Sequence, residues 1–239
     1  MPLHLREATL HDIPGMTVAG VNAFENDEIN IAMFPHGPNP TPDRHRGDRL
    51  KFRAWMTLDR MAKPGWVSMV VVDDEKDGQI AGYAQWTKPA PPEGQEPDPP
   101  AVTKEEAASA AFEMDEHPPS LAEGALDEFW AAQKVEEDRV LGEGGKKDVW
   151  CKCPWILCFL PDANDGVDLV ILAVDPAYQG RGVGKILVQW GIDQAKAQGK
   201  GIFLSATPAG KPFYKRMGLQ DAGAFEIWGT PETSFVLPR

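Results

Sequence analysis

The stretch LVILAVDPAYQGRGVGKILVQWG, residues 169–191, places a strand, a glycine-rich turn and the start of a helix in direct succession. Its first six residues are all apolar, which is typical of a buried strand. Asp175-Pro176 ends that strand, because proline cannot continue a central ladder. Glycines at positions 180, 182 and 184 then accompany the onset of a helical pattern. This order of elements favours an α/β fold in which a ligand comes close to the turn.

The turn has the properties of an anion site. Glycine lets backbone N–H groups approach one ligand closely, and a helix N-terminus adds a partial positive charge. Together they favour a phosphate or pyrophosphate, with Arg181 and Lys185 adding charge at the rim. A P-loop is excluded, because Gln179 stands where that pattern needs Gly and Ile186 where it needs Ser or Thr. A dinucleotide fingerprint is excluded as well, because its last glycine would be Lys185 or Leu187, depending on the register.

What remains is Gln179-x-x-Gly182-x-Gly184, preceded by LAVDP and followed by an amphipathic helix. This arrangement resembles the acetyl-CoA motif of the Gcn5-related N-acetyltransferases, the GNAT enzymes. The resemblance implies an α/β GNAT fold with a mixed central sheet of about six to seven strands, flanked by helices. It also implies that acetyl-CoA is the cosubstrate, bound by residues of the strand end and the turn: Leu172, Ala173, Val174, Gln179, Gly180, Arg181, Gly182, Val183, Gly184 and Lys185.

The segment FYKRMGL, residues 213–219, resembles a second feature of the family. In GNAT enzymes a short helix at this place carries a tyrosine that protonates the departing CoA thiolate, which makes Tyr214 the candidate acid. The adjacent Phe213 is implied as a cofactor contact. Many family members have an asparagine on or just after the preceding strand, where this chain reads LSATPAG. Ser205 or Thr207 must therefore supply that contact to the cosubstrate.

A base must accept the proton of an attacking amine. Asp168 shares a face of the motif strand with Leu172, because side chains alternate along a strand. In the histone-acetylating branch of the family, a glutamate base occupies the position matching Asp168. Asp168 also follows DANDGV, which is typical of a solvated strand end, and both interpretations stay open. Asp27 and Glu28 are weaker alternatives.

Residues 88–150 are predicted to be an insertion within a single domain that spans residues 1–239. Its opening stretch, KPAPPEGQEPDPPAV, is too rich in proline for regular structure. Helices are expected in TKEEAASAAFEM and in SLAEGALDEFWAAQKVEEDRVLG, with capping boxes at Thr103–Glu106 and Ser120–Glu123. The GNAT resemblance is strong over residues 165–220, looser over 1–87 and absent over 88–150.

The chain has 239 residues, 42% of them apolar, and a net charge of −12. This acidity argues against a nucleic-acid partner and is compatible with an amine substrate, because a negative field attracts cations. No apolar run is long enough to span a membrane and no signal sequence is evident, so a cytoplasmic or nucleocytosolic location is expected. Cys151, Cys153 and Cys158 lack a fourth ligand at a suitable spacing, so no metal site is expected.

These features predict an N-acetyltransferase that moves an acetyl group from acetyl-CoA to a primary amine of a small molecule, by direct attack in a ternary complex. The acceptor is expected near residues 30–46, NIAMFPHGPNPTPDRHR, and near the insertion. His36 and His45 in this stretch are expected to be exposed bystanders. Two alternatives stay open: a protein acetyltransferase acting on lysines or N-termini, and a CoA-binding sensor without catalysis. The oligomeric state is left open.

Overall fold

The structure, a computed structural model, describes residues 3–35, 42–88, 96–142, 149–150 and 169–238. The strands are β1 (Leu3–Glu7), β2 (Trp66–Asp73), β3 (Gln79–Thr87), β4 (Val149–Trp150), β5 (Leu169–Val174), β6 (Gly201–Ala206), β7 (Gln220–Ile227) and β8 (Thr230–Leu237). The helices are α1 (Ile13–Ala23), α2 (Glu28–Met33), α3 (Pro42–Met61), α4 (Lys104–Ala108), α5 (Ala125–Leu141), α6 (Val183–Ala197) and α7 (Lys211–Arg216). In these ranges no helix is both long enough and apolar enough to cross a membrane.

The strands form two four-stranded sheets. The first has the order β1-β2-β3-β5, with β1 antiparallel to β2. The second has the order β4-β6-β8-β7, in which β4 runs parallel to β6, while β8 runs antiparallel to β6 and β7. The predicted α/β class with a mixed strand arrangement is confirmed. The described strands are distributed over two sheets, where the sequence predicted one central sheet of about six to seven strands.

Strand β8 is the element that the sequence did not reveal. It begins TPETS, a polar run with a proline, which is atypical of an interior strand. In the structure Thr233 and Ser234 are nonetheless buried, and β8 lies between β6 and β7. A hairpin turn at Trp228 and Gly229, both at positive φ, joins β7 to β8. A hydrophobicity pattern does not identify β8, because some of its buried side chains are polar.

The chain divides into two compact units of structure. The first unit comprises Met1–Ala84, Asp98–Ala125 and Leu172–Leu187, and the second comprises Gln85–Pro97, Leu126–Ile171 and Val188–Arg239. The glycine-rich turn belongs to the first unit and the FYKRMGL segment to the second. The extent of the domain and of the insertion remains a prediction.

In the first unit, helices α1 and α3 pack together, and Gly82 brings strand β3 against β5. A Cβ atom on Gly82 would lie 2.7 Å from the carbonyl oxygen of Ala173 and 2.9 Å from a methyl carbon of Val183. Both distances are shorter than van der Waals contact. The absence of a side chain at Gly82 therefore sets how closely β3 approaches the motif strand.

In the second unit, polar side chains join helix α5 to three strands. Ser205 on β6 donates a hydrogen bond to Gln133 (3.0 Å), and Ser234 on β8 donates one to Glu136 (2.5 Å). Arg139 donates to the carbonyl oxygen of Ala222 on β7 (2.8 Å). Gln133, Glu136 and Ser234 are buried, and buried polar groups are stable only when they are paired. Helix α5 is thus docked on the second sheet by specific hydrogen bonds.

The capping box at Thr103 and Glu106 is confirmed, since the carboxylate of Glu106 accepts from the backbone N–H and the hydroxyl of Thr103. The helix it begins is shorter than predicted and ends at Ala108. The predicted cap at Ser120 is wrong, because α5 begins only at Ala125. The backbone N–H of Ser120 instead donates to Asp48 of α3 (3.1 Å).

Two glycine-to-alanine changes should have opposite effects on stability. Gly82→Ala forces β3 away from β5 and is expected to lower the free energy of unfolding by about 1–3 kcal/mol. Gly47→Ala, in helix α3, places its methyl group where no atom lies within 4 Å. It is expected to raise stability by about 0.5–1 kcal/mol, because alanine favours helix. Urea unfolding measures both; a Gly82→Ala protein as stable as the wild type would contradict the close approach.

Candidate functional site

Asp175 anchors the start of the glycine-rich turn. Its backbone N–H donates to the carbonyl oxygen of Ala81 on β3 (3.0 Å). One carboxylate oxygen accepts from the backbone N–H of Ala177 (2.9 Å), and the other accepts from the side-chain amide of Asn22 on α1 (2.7 Å). These three bonds fix the direction in which the chain leaves β5. The contribution from Asn22 was not predicted from the sequence.

The turn leaves several backbone amides available to a ligand. Gly180 and Gly182 have φ angles of +73° and +85°, and a Cβ atom at either position would meet nothing within 4 Å. No described residue accepts a hydrogen bond from the N–H groups of Gly182, Val183, Gly184 or Lys185. These amides lead into helix α6, whose N-terminus carries partial positive charge. The arrangement fits an oxyanion such as a pyrophosphate.

The polar side chains of the turn differ in their surroundings. Gln179 donates to the carbonyl oxygen of Val174 (3.3 Å) and so ties the turn back to the end of β5. The guanidinium of Arg181 lies over the ring of Tyr178, 4.8 Å from its centroid, and 4.0 Å from the carboxylate of Asp73. Lys185 is exposed and forms no ion pair with any described residue. Lys185 is therefore the less neutralised of the two predicted rim cations.

The predicted contact strand, Leu172–Val174, closes one edge of the first sheet. Strand β5 is the last strand in the order β1-β2-β3-β5, and β6, which follows helix α6, belongs to the second sheet. Ala173 is buried, while Leu172 and Val174 are half-buried. Within the described part of the chain, no strand pairs with the outer edge of β5. An edge of this kind offers backbone N–H and C=O groups to an extended ligand.

Tyr214 lies in helix α7 of the second unit, with its ring against Phe235 (5.9 Å between centroids) and Phe213 (5.1 Å). Burial raises the pKa of its hydroxyl well above the ordinary tyrosine value, and the negative charge of Glu232 raises it further. At neutral pH the phenol carries its proton, as an ordinary tyrosine also does. A protonated hydroxyl is the form that a general acid requires.

The residues predicted to replace the family's asparagine have other partners. The hydroxyl of Ser205 donates to Gln133 of α5 (3.0 Å). The carbonyl oxygen of Thr207 accepts from the N–H groups of Gly210 and Lys211 (3.0 Å each), which starts helix α7. Ser205 retains only acceptor capacity, so its role at a cosubstrate stays a prediction.

The structure describes only some of the predicted proton acceptors. Asp168, His36 and the three cysteines lie outside the described residues. Asp27 caps helix α2 by accepting from the N–H of Asn30 (2.8 Å), and burial raises the pKa of its carboxyl. Glu28 is exposed.

His45 was expected to be exposed, and that expectation is wrong. It is buried in helix α3, 2.6 Å from the carbonyl oxygen of Phe34. The neighbouring residues did not indicate this burial. Helix α3 begins at Pro42 and directs the side chain of His45 inward. In the described part of the chain, no three His, Cys, Asp or Glu residues are grouped to hold a metal ion.

A sequence model of the GNAT acetyltransferase domain matches residues 127–220. Residues 127–220 of this chain are thus similar to the GNAT acetyltransferase domain. The match takes in the glycine-rich turn and Tyr214, as the resemblance predicted. The expected absence of GNAT character over residues 88–150 is wrong from residue 127 onward, because the match includes nearly all of helix α5.

Solved structures with the GNAT fold cover the chain along its whole length. A histone acetyltransferase HPA2 and related acetyltransferase from Corynebacterium glutamicum is 20% identical, with 100% of this chain and 97% of that chain covered and a TM-score of 0.56. Polyamine N-acetyltransferase from Drosophila melanogaster is 13% identical, with 99% and 100% covered and a TM-score of 0.53. These likenesses establish the fold. No curated protein sequence matches the chain with significance.

The raised pKa of Tyr214 predicts a stability change at alkaline pH. The folded state favours the neutral phenol, so this contribution is complete below the unfolded pKa of about 10 and is lost as the pH rises above it. By about pH 11 the wild type should have lost about 1 kcal/mol relative to Tyr214→Phe, which cannot ionise at this position. Urea unfolding between pH 8 and 11 measures the difference. Parallel curves for the two proteins would contradict the burial of an ionisable hydroxyl.

Proposed function

We propose that this protein is an N-acetyltransferase that transfers an acetyl group from acetyl-CoA to a primary amine of a small molecule. The observation that carries the proposal is the turn at Gly180–Lys185, where unpaired amides and open positive-φ glycines precede a helix. The GNAT domain match over the same residues supports acetyl-CoA as the ligand. In this proposal the pyrophosphate is held by the amides of the turn, with Lys185 contributing charge.

The edge of β5 is proposed to hold the pantetheine arm. The side of β5 that no described strand pairs with, at Leu172, Ala173 and Val174, can pair with an extended amide chain as a further strand would. A backbone N–H in the same stretch can donate to the thioester carbonyl and stabilise the negative charge that develops on its oxygen. Arg181 and Gln179 act by shaping the turn, since both contact protein groups.

The proposed reaction is a direct attack. The acceptor nitrogen forms a bond to the thioester carbonyl carbon, and the carbon–sulfur bond breaks. The departing sulfur receives a proton from the hydroxyl of Tyr214, and a carboxylate accepts the proton that the nitrogen loses. Asp168 and Asp27 are the candidates for that carboxylate; the raised pKa of Asp27 suits it to accept a proton. No thiol intermediate is required.

A small-molecule acceptor is proposed ahead of a protein acceptor. The proline-rich sequence before α4 is expected to narrow a peptide groove. The two structural relatives do not decide the question, because one is a histone acetyltransferase and related acetyltransferase and the other catalyses the formation of N-acetylagmatine. Mass spectrometry after incubation with peptides and with a panel of simple amines separates the two acceptor classes.

Substitution of Gly182 tests the pyrophosphate assignment. Gly182→Val places a side chain in the space where the ligand would lie, so calorimetry should detect no binding of acetyl-CoA. Gly199→Val is the matched control, because Gly199 also has positive φ and open space but ends helix α6. Both variants carry the same backbone strain of about 1–2 kcal/mol. Tight binding by a folded Gly182→Val protein, or equal loss in both variants, would overturn the assignment.

Tyr214→Phe tests the proposed acid. Removing the hydroxyl should lower turnover by about a hundredfold, which is a typical rate contribution of a positioned general acid. The affinity for acetyl-CoA should be nearly unchanged, since the aromatic ring and its packing remain. Stopped-flow detection of free CoA thiol gives the rate and calorimetry gives the affinity. Turnover equal to that of the wild type would make Tyr214 a packing residue only.

A further inference from the structure

Three arginines stand on one face of helix α3, in a chain whose net charge is −12. Arg46, Arg49 and Arg53 follow the spacing i, i+3, i+7, which aligns side chains along a helix. We propose that these arginines bind an oxyanion, carboxylate or phosphate, that the acceptor carries besides its amine. This inference rests on the proposed function and names the class of its acceptor. We call the three residues the arginine face.

The side chains of the arginine face are held in place. Arg46 donates to the side-chain oxygen of Asn22 on α1 (2.6 Å). The guanidinium of Arg53 lies over the ring of Phe24, 5.0 Å from its centroid. Arg49 stands between these two along the helix, and all three side chains are half-buried. Guanidinium groups fixed in this way lose little freedom when they bind an anion.

Two hydrogen-bond donors at this face have no acceptor. The Nε–H of Arg49 is buried, and no described residue accepts a hydrogen bond from it. The same holds for the hydroxyl of Tyr83, a fully buried residue of β3. The Tyr83 hydroxyl and the Nε of Arg53 lie 2.6 Å and 3.3 Å from the point where a Cβ on Gly20 would stand. Buried donors without an acceptor are rare and indicate a missing polar partner.

Carboxylates also lie near the arginine face. Glu25 lies close enough to influence Arg49, and Asp27 is influenced by Arg53. Within the described residues no carboxylate comes within ion-pair distance of the three guanidinium groups. Burial lowers the pKa of Arg49; the charge of Glu25 opposes this shift, and the charges of Arg46 and Arg53 add to it. Arg46 contacts an amide oxygen, Arg53 contacts an aromatic ring, and the Nε–H of Arg49 has no acceptor among the described residues. A bound oxyanion would give these guanidinium groups a direct anionic partner.

The arginine face is connected to the motif strand. Asn22 accepts from Arg46 and donates to Asp175 (2.7 Å), the residue that directly follows β5. All of these residues belong to the first unit. An anion bound at Arg46 is thus one asparagine away from the end of the strand proposed to hold the acetyl group.

Guanidinium groups suit carboxylate and phosphate because they donate two parallel hydrogen bonds to neighbouring oxygens. The acceptor class inferred is therefore an amino acid or an aminoalkyl phosphate. Matched pairs of acceptors test it: 2-aminoethyl phosphate against ethylamine, and β-alanine against propylamine. The anionic member of at least one pair should show a kcat/KM about tenfold or more above its neutral partner, and the pair that does so identifies phosphate or carboxylate. Equal values within both pairs would overturn the inference and leave the acetyltransferase proposal standing.

Substitution of Arg49 tests whether the arginine face causes the preference for anionic acceptors. Arg49→Gln should reduce kcat/KM for the preferred anionic acceptor by about ten- to a hundredfold and leave its neutral partner unchanged. The kcat/KM of Arg49→Lys for the anionic acceptor should lie between those of the wild type and Arg49→Gln, because lysine keeps the charge without the paired donors. Lys196→Gln is the control for net charge, since Lys196 is exposed at the far end of α6. An equal loss in Arg49→Gln and Lys196→Gln would contradict a local site.

A binding measurement keeps the inference testable if no amine is acetylated. Calorimetry with 2-aminoethyl phosphate and with β-alanine should show binding of at least one of them to the wild type, and loss of that binding in Arg49→Gln at an unchanged melting temperature. Absence of turnover with this binding intact would overturn the proposed function and retain the anion site. Absence of binding by the folded wild type would overturn the anion site.

Discussion

The carboxylate of Asp175 is the point on which the glycine-rich turn depends. It satisfies an amide at the start of the turn and the side chain of Asn22 at the same time, while its own N–H pairs with β3. A buried carboxylate is stable only when donors surround it, so each of these partners is required. The strand, helix α1 and the turn are consequently held in one arrangement. The amides of Gly182–Lys185 emerge from that arrangement already directed away from protein acceptors.

Much of the fold and of the cofactor loop could be predicted because the signals are local. The glycines at 180, 182 and 184, the tyrosine at 214 and the capping box at Thr103 lie within short segments whose spacing specifies their conformation. The turn between β2 and β3, with Asp77 and Gly78 at positive φ, is another feature of this kind. Local geometry decides such elements before any distant residue is in place.

What escaped prediction depends on contacts between distant residues. Asn22 and Asp175 are 153 positions apart, and Ser120 and Asp48 are 72 apart, so neither bond has a local signature. Strand β8 looked polar because α5 supplies hydrogen-bond partners for its buried side chains. The spacing of the three arginines can be read from the sequence. Their proposed role in anion binding depends on Asn22, Phe24 and Tyr83, which lie outside helix α3.

The bond between Ser205 and Gln133 has an evolutionary consequence. The hydroxyl of Ser205 on β6 donates its hydrogen bond to Gln133, which lies 72 positions upstream. Loss of either residue alone leaves a polar group buried without a bond, whereas a change of both to apolar residues costs much less. Positions 133 and 205 are therefore constrained to vary as a pair among descendants of this chain. Helix α5, which carries Gln133, and strand β6, which carries Ser205, are therefore constrained to change together.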